Sequence, residues 1–433
     1  MHCELRIPVK TRFGDFIYDG FTNRIEMSGP VSGGHDRYIG VCGKSQADRF
    51  YERQHCLKSL TLQLTRRCNL RCSYCVYSGS FGHMHAHADE SMENRTIHQA
   101  IDFLEAHSRE SEHVTISFYG GESLLEFARI EDAVEYAGRT LPGRRITFGI
   151  TSNGLLLKET VARFLDAHPN VQVQVTLNGD MHDAFRKTPS GVGSLGMILD
   201  NLEKIRDHHP QVWEKQIQFV ANIISYRELP SLKHFYQETV KKLPELITRI
   251  TMEGCRSDVK QAFAYNQKED LQLEAEFRKD YVETNDPFLA KIFSSQLQAI
   301  HERPILTQSA GLAINPTCSP MSGGIFVRTD GAINICERVT DNIGFGTVFD
   351  GYDNEKIDEY YDEVAHFTER NCMSCWAQHL CMLCFQQVVD ETGRILDHMP
   401  AQWCSLSREY ALRDLQSYIE IMISDPERFR KDG

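Results

Sequence analysis

Residues 60–79 read LTLQLTRRCNLRCSYCVYSG. A β-prone run, Leu60–Thr65, passes directly into Cys68, Cys72 and Cys75, a Cys-x3-Cys-x2-Cys spacing on one loop. Three thiolates so placed can hold three irons of a 4Fe–4S cube, leaving the fourth iron without a protein ligand and open to chelation by a small molecule. A closed structural zinc, the competing site, takes four ligands at different spacing.

The strand before these cysteines is the first of six. Further β-prone runs lie at Val114–Phe118, Ile146–Ile150, Val171–Leu177, Ile217–Ile224 and Ile247–Met252. Amphipathic segments separate them. The clearest is Met92–His107, where Ile97, Ala100, Ile101 and Leu104 follow the i, i+3, i+4, i+7 stripe of a helix. Helices are also expected near Glu131–Thr140, Lys158–Ala167, Ser194–Asp207 and Leu229–Lys242. Strand and helix in strict alternation imply parallel β-α units. The fold class is therefore α/β, a partial (β/α)6 barrel of the TIM type with chemistry at the C-terminal strand ends. A hairpin is expected around Phe13–Met27, a polar helical bridge over 256–311 and a helix over Ser407–Ile423.

A length of 433 residues suggests two or three domains, and 41% hydrophobic with 25% charged residues is a globular composition. The net charge of −13 argues against broad contact with a phosphate backbone, so no nucleic acid partner is expected. No apolar run approaches the ~18 residues of a membrane helix. The start, MHCELRIPVK, lacks a signal-peptide core, so no membrane partner and a cytoplasmic location are expected. Fourteen cysteines in such a chain favour metal binding over disulfides. Cys3, Cys42, Cys56 and Cys255 are scattered and read as inert thiols or small hydrophobes. The rest form a second group: Cys318, Cys336, then Cys372-x2-Cys375-x5-Cys381-x2-Cys384, then Cys404. A zinc ribbon would put ~15–20 residues between the paired cysteines, where this chain has five.

The first cysteine motif, with Tyr74 just before its third cysteine, resembles the radical S-adenosylmethionine superfamily. The resemblance implies that the open iron binds the amino and carboxylate groups of the methionyl moiety. One electron then yields a 5′-deoxyadenosyl radical that abstracts a substrate hydrogen. Gly120, Gly121 and Glu122 match the family's glycine-glycine-glutamate motif, which implies glycines that let backbone approach the ligand and a carboxylate for the methionyl ammonium. Ser152 and Asn153, after Thr151, are placed to meet the methionyl carboxylate or ribose. VTLNGDMHDAFR is similar to a family pattern of serine-x-aspartate-glycine followed by histidine-aspartate-x-x-arginine. Thr176 and Asn178 replace the serine and aspartate, and Arg186 is a candidate for the ligand's carboxylate.

The second group resembles the SPASM extension of peptide-modifying radical enzymes, with a final spacing of x2 where the family has x3. By that resemblance Cys372, Cys375, Cys381 and Cys404 close a distal auxiliary 4Fe–4S cluster, and Cys318, Cys336 and Cys384 hold a proximal one. Where some relatives have an eighth cysteine, this chain has Leu312. The proximal cluster then keeps an open iron for a substrate thiolate, unless Cys255 or water fills it. The cofactors implied are S-adenosylmethionine and three 4Fe–4S clusters, one radical and two auxiliary.

His83, His85 and His87 alternate in GHMHAHAD. No matching carboxylate spacing accompanies them, so a loop lining the cofactor pocket or substrate channel is favoured over a metal site. Residues 1–57 read either as a short peptide-recognition segment that adds a leader as an extra strand or as a barrel-capping hairpin. The expected organisation is 1–57, a radical SAM barrel over 58–255, a helical bridge over 256–311, a SPASM domain over 312–407 and a C-terminal helix over 408–433. The expected activity is a radical peptide maturase that installs a crosslink, a thioether first of all, in a ribosomally made precursor with a leader. It would draw electrons from a reductant such as flavodoxin or ferredoxin. The alternatives are oxidation of Cys or Ser to formylglycine, as in anaerobic sulfatase maturases, peptide epimerisation, or carbon–carbon crosslinking.

Overall fold

The computed structural model describes residues 5–27, 46–80, 85–250, 266–303, 305, 321, 323–390 and 392–430. Cys3, Cys42, His83, Cys255, Leu312 and Cys318 lie outside the described residues. The chain divides into two compact units: Met1–Gln46 with Leu271–Ser319 and Glu355–Gly433, and Ala47–Asp270 with Pro320–Asn354.

In the first unit, β1 (Arg6–Thr11), β2 (Gly14–Asp19) and β3 (Arg24–Met27) form an antiparallel meander. Gly14 at φ +134° and Asn23 at φ 61° supply the positive φ that its two turns need. The expected hairpin is β2 with β3, and β1 is an addition. Tyr18 meets Trp376 edge-on with ring centroids 6.1 Å apart, and Gln378 Nε2 donates to the Gly20 carbonyl at 2.7 Å. A Cβ on Gly20 would lie 2.1 Å from the Trp376 carbonyl oxygen. The meander thus packs on the segment between Cys375 and Cys381, a role the sequence did not suggest. Helices Gln267–Thr284, Pro287–His301, Asn354–Asn371 and Ala401–Ser424 supply much of the rest.

The second unit is built on β4 (Ser59–Thr65), β5 (His113–Gly120), β6 (Arg145–Ser152), β7 (Val171–Thr176), β8 (Ile217–Ile223) and β9 (Leu246–Arg249). These six are the strands the sequence predicts, all parallel and in sequential order. β10 (Gly324–Val327) joins the free edge of β4 in parallel, with Gly324 opposite Ser59 and Val327 opposite Leu62. β11 (Ile333–Asn334) pairs antiparallel with β10. Among the described residues the sheet does not close, as a partial barrel requires.

Period-2 alternation divides the faces of the sheet. Val171, Val173 and Val175 of β7 and Ile217, Phe219, Ala221 and Ile223 of β8 are buried. The residues between them, Gln172, Gln174, Thr176, Gln218, Val220 and Asn222, are half-buried on the opposite face. That face is largely polar and knitted across strands: Gln218 Nε2 donates to Gln172 Oε1 at 3.0 Å, and Thr248 Oγ1 to Asn222 Oδ1 at 2.5 Å. One apolar and one polar face suit a sheet that packs helices outside and holds a ligand within. The expected helix Leu229–Lys242 is split: an α-helix, Leu229–Phe235, passes into a π turn, Tyr236–Val240, ended by Lys241 at φ 59°.

Candidate functional site

The cysteine loop leaves β4 at Thr65 and lies against the end of β5. Gly121 N–H donates to the Thr65 carbonyl at 2.8 Å, and Glu122 N–H to the Arg67 carbonyl at 2.9 Å. A Cβ on Gly120, which holds φ +127°, would sit 2.2 Å from the Thr65 oxygen, and one on Gly121 would sit 2.1 Å from the Arg67 oxygen. The glycines are required here for backbone to meet backbone.

Glu122 is 1% exposed. Its Oε1 accepts from Ser152 Oγ at 2.8 Å and from Leu124 N–H at 3.1 Å, and its Oε2 accepts from Asn153 N–H at 2.7 Å. Burial pushes the carboxyl above its usual value, against the pull of these donors. Glu122 therefore staples β5 to β6. Ser152 and Asn153 are held by that staple, and Asn153 Nδ2 reaches back to Asn69 Oδ1 at 2.7 Å, 3.9 Å from Cys68 Sγ.

The far side of the loop is tied to the chain beyond β7. Arg71 N–H donates to the Lys187 carbonyl at 2.7 Å and Ser73 N–H to the Phe185 carbonyl at 3.0 Å. Cys68 Sγ accepts from Leu70 N–H and Cys75 Sγ from Tyr77 N–H, each at 3.4 Å. Burial, opposed by the Leu70 N–H, pushes the Cys68 thiol up to about 11, and burial with the neighbouring Cys72 pushes Cys75 up to about 12. Burial also raises Cys72, against the Arg186 charge. Such thiols ionise at neutral pH only when a metal centre supplies the compensating charge.

Arg186 is 6% exposed, and its Nη1 donates to the Tyr74 hydroxyl at 2.9 Å. The same hydroxyl accepts from Asn178 Nδ2 at 3.0 Å, and Asn178 Oδ1 accepts from Asn222 N–H at 3.0 Å. Arg186 Nε is buried without a partner, and no Asp or Glu pairs with this guanidinium among the described residues. A buried cation without a paired carboxylate is costly, and the Tyr74 hydroxyl and the Cys72 and Cys75 thiols are the groups whose ionised forms would offset its charge. Thr176, half-buried at the end of β7, makes no side-chain hydrogen bond to this group.

His182 and Asp183 serve the backbone. His182 Nδ1 accepts from Asn178 N–H at 3.3 Å, its Nε2 lies 3.1 Å from Ser194 Oγ, and Ser194 Oγ donates to the Arg186 carbonyl at 2.8 Å. Burial and the Arg186 charge lower the His182 pKa to about 3, so the ring is neutral. Asp183 Oδ1 accepts from Ser194 and Leu195 N–H, both at 2.8 Å, and caps helix Leu195–His208.

In the first unit, Cys372, Cys375, Cys381 and Cys404 line one cavity, together with Phe367 and Leu383. Burial and the other three thiols push Cys372 up to about 12, while burial raises Cys381 against the Leu383 N–H and the Ser407 hydroxyl. Cys384 does not line that cavity. Cys336 belongs to the second unit and Cys384 to the first. Among the described residues, no three His, Cys, Asp or Glu side chains converge closely enough for a single metal ion. A four-iron cube needs wider spacing, since each thiolate binds a different iron. The donor sets fit such cubes: three thiols beside an unpaired guanidinium, and four thiols round one cavity.

Of the histidine run, His85 and His87 are among the described residues. His85 is 1% exposed and stacked on Tyr77, and His87 Nδ1 lies 3.2 Å from the Arg66 carbonyl oxygen. Tyr119, just before Gly120, was not singled out in the sequence. Burial and the charges of Glu337, Cys75 and Cys336 push its phenol up. An aromatic beside the glycine pair was the only signal.

Residues 62–214, which include the first cysteine motif, match the family model described as the Radical SAM superfamily. The chain is 26% identical over 200 residues to the cysteine-type anaerobic sulfatase-maturating enzyme of Clostridium novyi, covering 42% of this chain and 49% of that protein. It spans about half the length of the curated relatives it matches. Its fold is similar to native anSMEcpe with bound AdoMet, at TM-score 0.63 and 15% identity over 86% of this chain and 100% of that one. It is also similar to Streptococcus suis SuiB bound to precursor peptide SuiA, at TM-score 0.50 and 13% identity over 78% and 75%. No helix among the described residues is long and apolar enough to cross a membrane.

Proposed function

We propose that the chain is a radical S-adenosylmethionine enzyme that modifies a peptide. The observation that carries this reading is Arg186, a buried guanidinium with an unpartnered Nε, tied by Tyr74 to a loop of three thiols. In this reading Cys68, Cys72 and Cys75 hold the 4Fe–4S cluster. Arg186 takes the methionyl carboxylate, oriented by Tyr74 and Asn178. Ser152 and Asn153 border the nucleotide, and Gly120, Gly121 and Glu122 fix the strand ends around it. Thr176 faces the same interior from β7. When bound, the reduced cluster cleaves the sulfonium and supplies the radical that removes a substrate hydrogen.

Cys372, Cys375, Cys381 and Cys404 would hold the distal auxiliary cluster, and Cys318, Cys336 and Cys384 the proximal one, with flavodoxin or ferredoxin as reductant. Unless Cys255 or water fills the gap, three ligands for the proximal cluster would leave an iron on which a substrate thiolate could be held, and a thioether in a precursor peptide with a leader is the crosslink that arrangement would favour. The second reading is oxidation of Cys or Ser to formylglycine, favoured by the Clostridium novyi relative and by the higher fold similarity to anSMEcpe.

Anaerobically reconstituted protein with dithionite should release 5′-deoxyadenosine, and the variant with Cys68, Cys72 and Cys75 all changed to Ala should release none. Equal turnover by both would end the proposal. With a Cys-containing peptide encoded beside the gene, a loss of two hydrogens per linkage supports the crosslink. Formylglycine at Cys in a sulfatase peptide supports the second reading.

A further inference from the structure

Asn178 is 4% exposed, and its backbone is held from both sides. Its N–H donates to His182 Nδ1 at 3.3 Å, and the carbonyl of Leu177 before it accepts from the buried Tyr236 hydroxyl at 2.9 Å. The partners decide which way the side-chain amide lies. A backbone N–H can only donate, so the atom that meets Asn222 N–H at 3.0 Å is Oδ1. Nδ2 is then the atom that donates to the Tyr74 hydroxyl at 3.0 Å. Arg186 Nη1, which also can only donate, meets the same hydroxyl at 2.9 Å. Both polar atoms of the Asn178 side chain are thus engaged within the protein, and two hydrogen bonds in series link its amide nitrogen to the guanidinium.

The residue type at this position controls charge. An aspartate, which stands here in the family pattern, would keep the bond from Asn222 N–H and offer its second oxygen to Tyr74. The phenol would turn its hydrogen to that oxygen while still accepting from Arg186. A carboxylate would then be coupled through one hydroxyl to a buried guanidinium, and opposite charges within ~4–6 Å hold each other in the charged form. Glu122 also feels the Arg186 charge, but its oxygens are taken by Ser152, Leu124 and Asn153. We propose that Asn178 is a positioning residue that sets the preference for a ligand bearing a carboxylate. Its neutral amide fixes Tyr74 against Arg186 without adding a negative charge, so the guanidinium keeps its pull on the ligand's anion. Restoring the family's aspartate should therefore weaken the preference rather than improve it. The proposal rests on the reading that Arg186 takes the methionyl carboxylate.

The test uses full-length, anaerobically reconstituted protein and equilibrium binding of two probes, S-adenosylmethionine and its decarboxylated form. The ratio of their dissociation constants measures the preference for the carboxylate. Arg186→Gln should lower that preference roughly tenfold or more. Asn178→Asp should lower it by a similar factor with iron content retained, and should lower it no further in the Arg186→Gln background. Asn178→Ser, which loses the bond to Tyr74 but adds no charge, should keep most of the preference. If Arg186→Gln leaves the ratio unchanged, the carboxylate reading fails and takes the proposal with it. If Arg186→Gln lowers the ratio and Asn178→Asp does not, the proposal alone is overturned. Equal losses in Asn178→Ser and Asn178→Asp also overturn it, because packing rather than charge then decides. Loss of iron from Asn178→Asp does the same, because the position then serves the cysteine loop.

Discussion

Arg186 concentrates the chemistry at the scale of single residues. A hydrogen bond to a charged group contributes about 1.5–3 kcal/mol, and lysine cannot reproduce the planar fork of a guanidinium. Arg186→Lys is therefore expected to weaken S-adenosylmethionine binding roughly tenfold to a hundredfold, with the iron content of the first cluster unchanged. Anaerobic equilibrium binding measures this, and unaltered affinity would remove Arg186 from the ligand's carboxylate. His182 makes a separate prediction. Its pKa drops from 6.5 to about 3 on folding, so between those values the unfolded chain binds the extra proton. The stability this residue contributes is complete above pH 6.5 and is lost as pH falls toward 3, by about 1.4 kcal/mol per pH unit. Urea midpoints should fall between pH 7 and 5.5, and the fall should be shallower in His182→Gln. Arg186 was legible from the residues around it. Its lack of a carboxylate was not, because only packing decides which partners a side chain is denied.

Elements were legible where period and length agreed. VQVQVT and QFVANI alternate with apolar residues inward, and both are strands. β10 has four residues and needs the edge of β4 to exist, so no local signal reveals it. The glycines at the end of β5 show the same division. Their motif is visible in the sequence, but the carbonyls they face are 54–55 residues away. Gly120→Ala and Gly121→Ala would each drive a Cβ to about 2.2 Å and 2.1 Å from backbone oxygen. Each should cost about 3 kcal/mol or more, or abolish folding. Gly138, in helix Phe127–Thr140, has nothing within 4 Å of a built Cβ. Gly138→Ala should stabilise by about 0.5–1 kcal/mol. Thermal midpoints of the three variants test the contrast; a stable Gly121→Ala would contradict the close approach.

At the scale of the whole molecule, the first unit is held by a buried ionic group. Arg278 donates to Glu274 at 2.6 Å and to Asp414 at 2.5 Å, joining helices Gln267–Thr284 and Ala401–Ser424. Glu274 also pairs with Arg413. Removing one member leaves the others uncompensated, so Arg278→Ala should destabilise by about 3–5 kcal/mol. Cys404 sits in the same helix Ala401–Ser424, so about four irons should be lost with it; iron analysis beside a denaturation curve tests both. Spacing along the chain was enough to announce six parallel strands and a segment that matches the Radical SAM family model, because hydrophobic period and motif spacing are local properties. Which four thiols share a cavity, that Glu122 is a staple between strands, and that Asn178 meets Tyr74 were decided by the tertiary structure. Each depends on contacts between residues 30 to 104 positions apart, and only the closing of the fold brings such residues together.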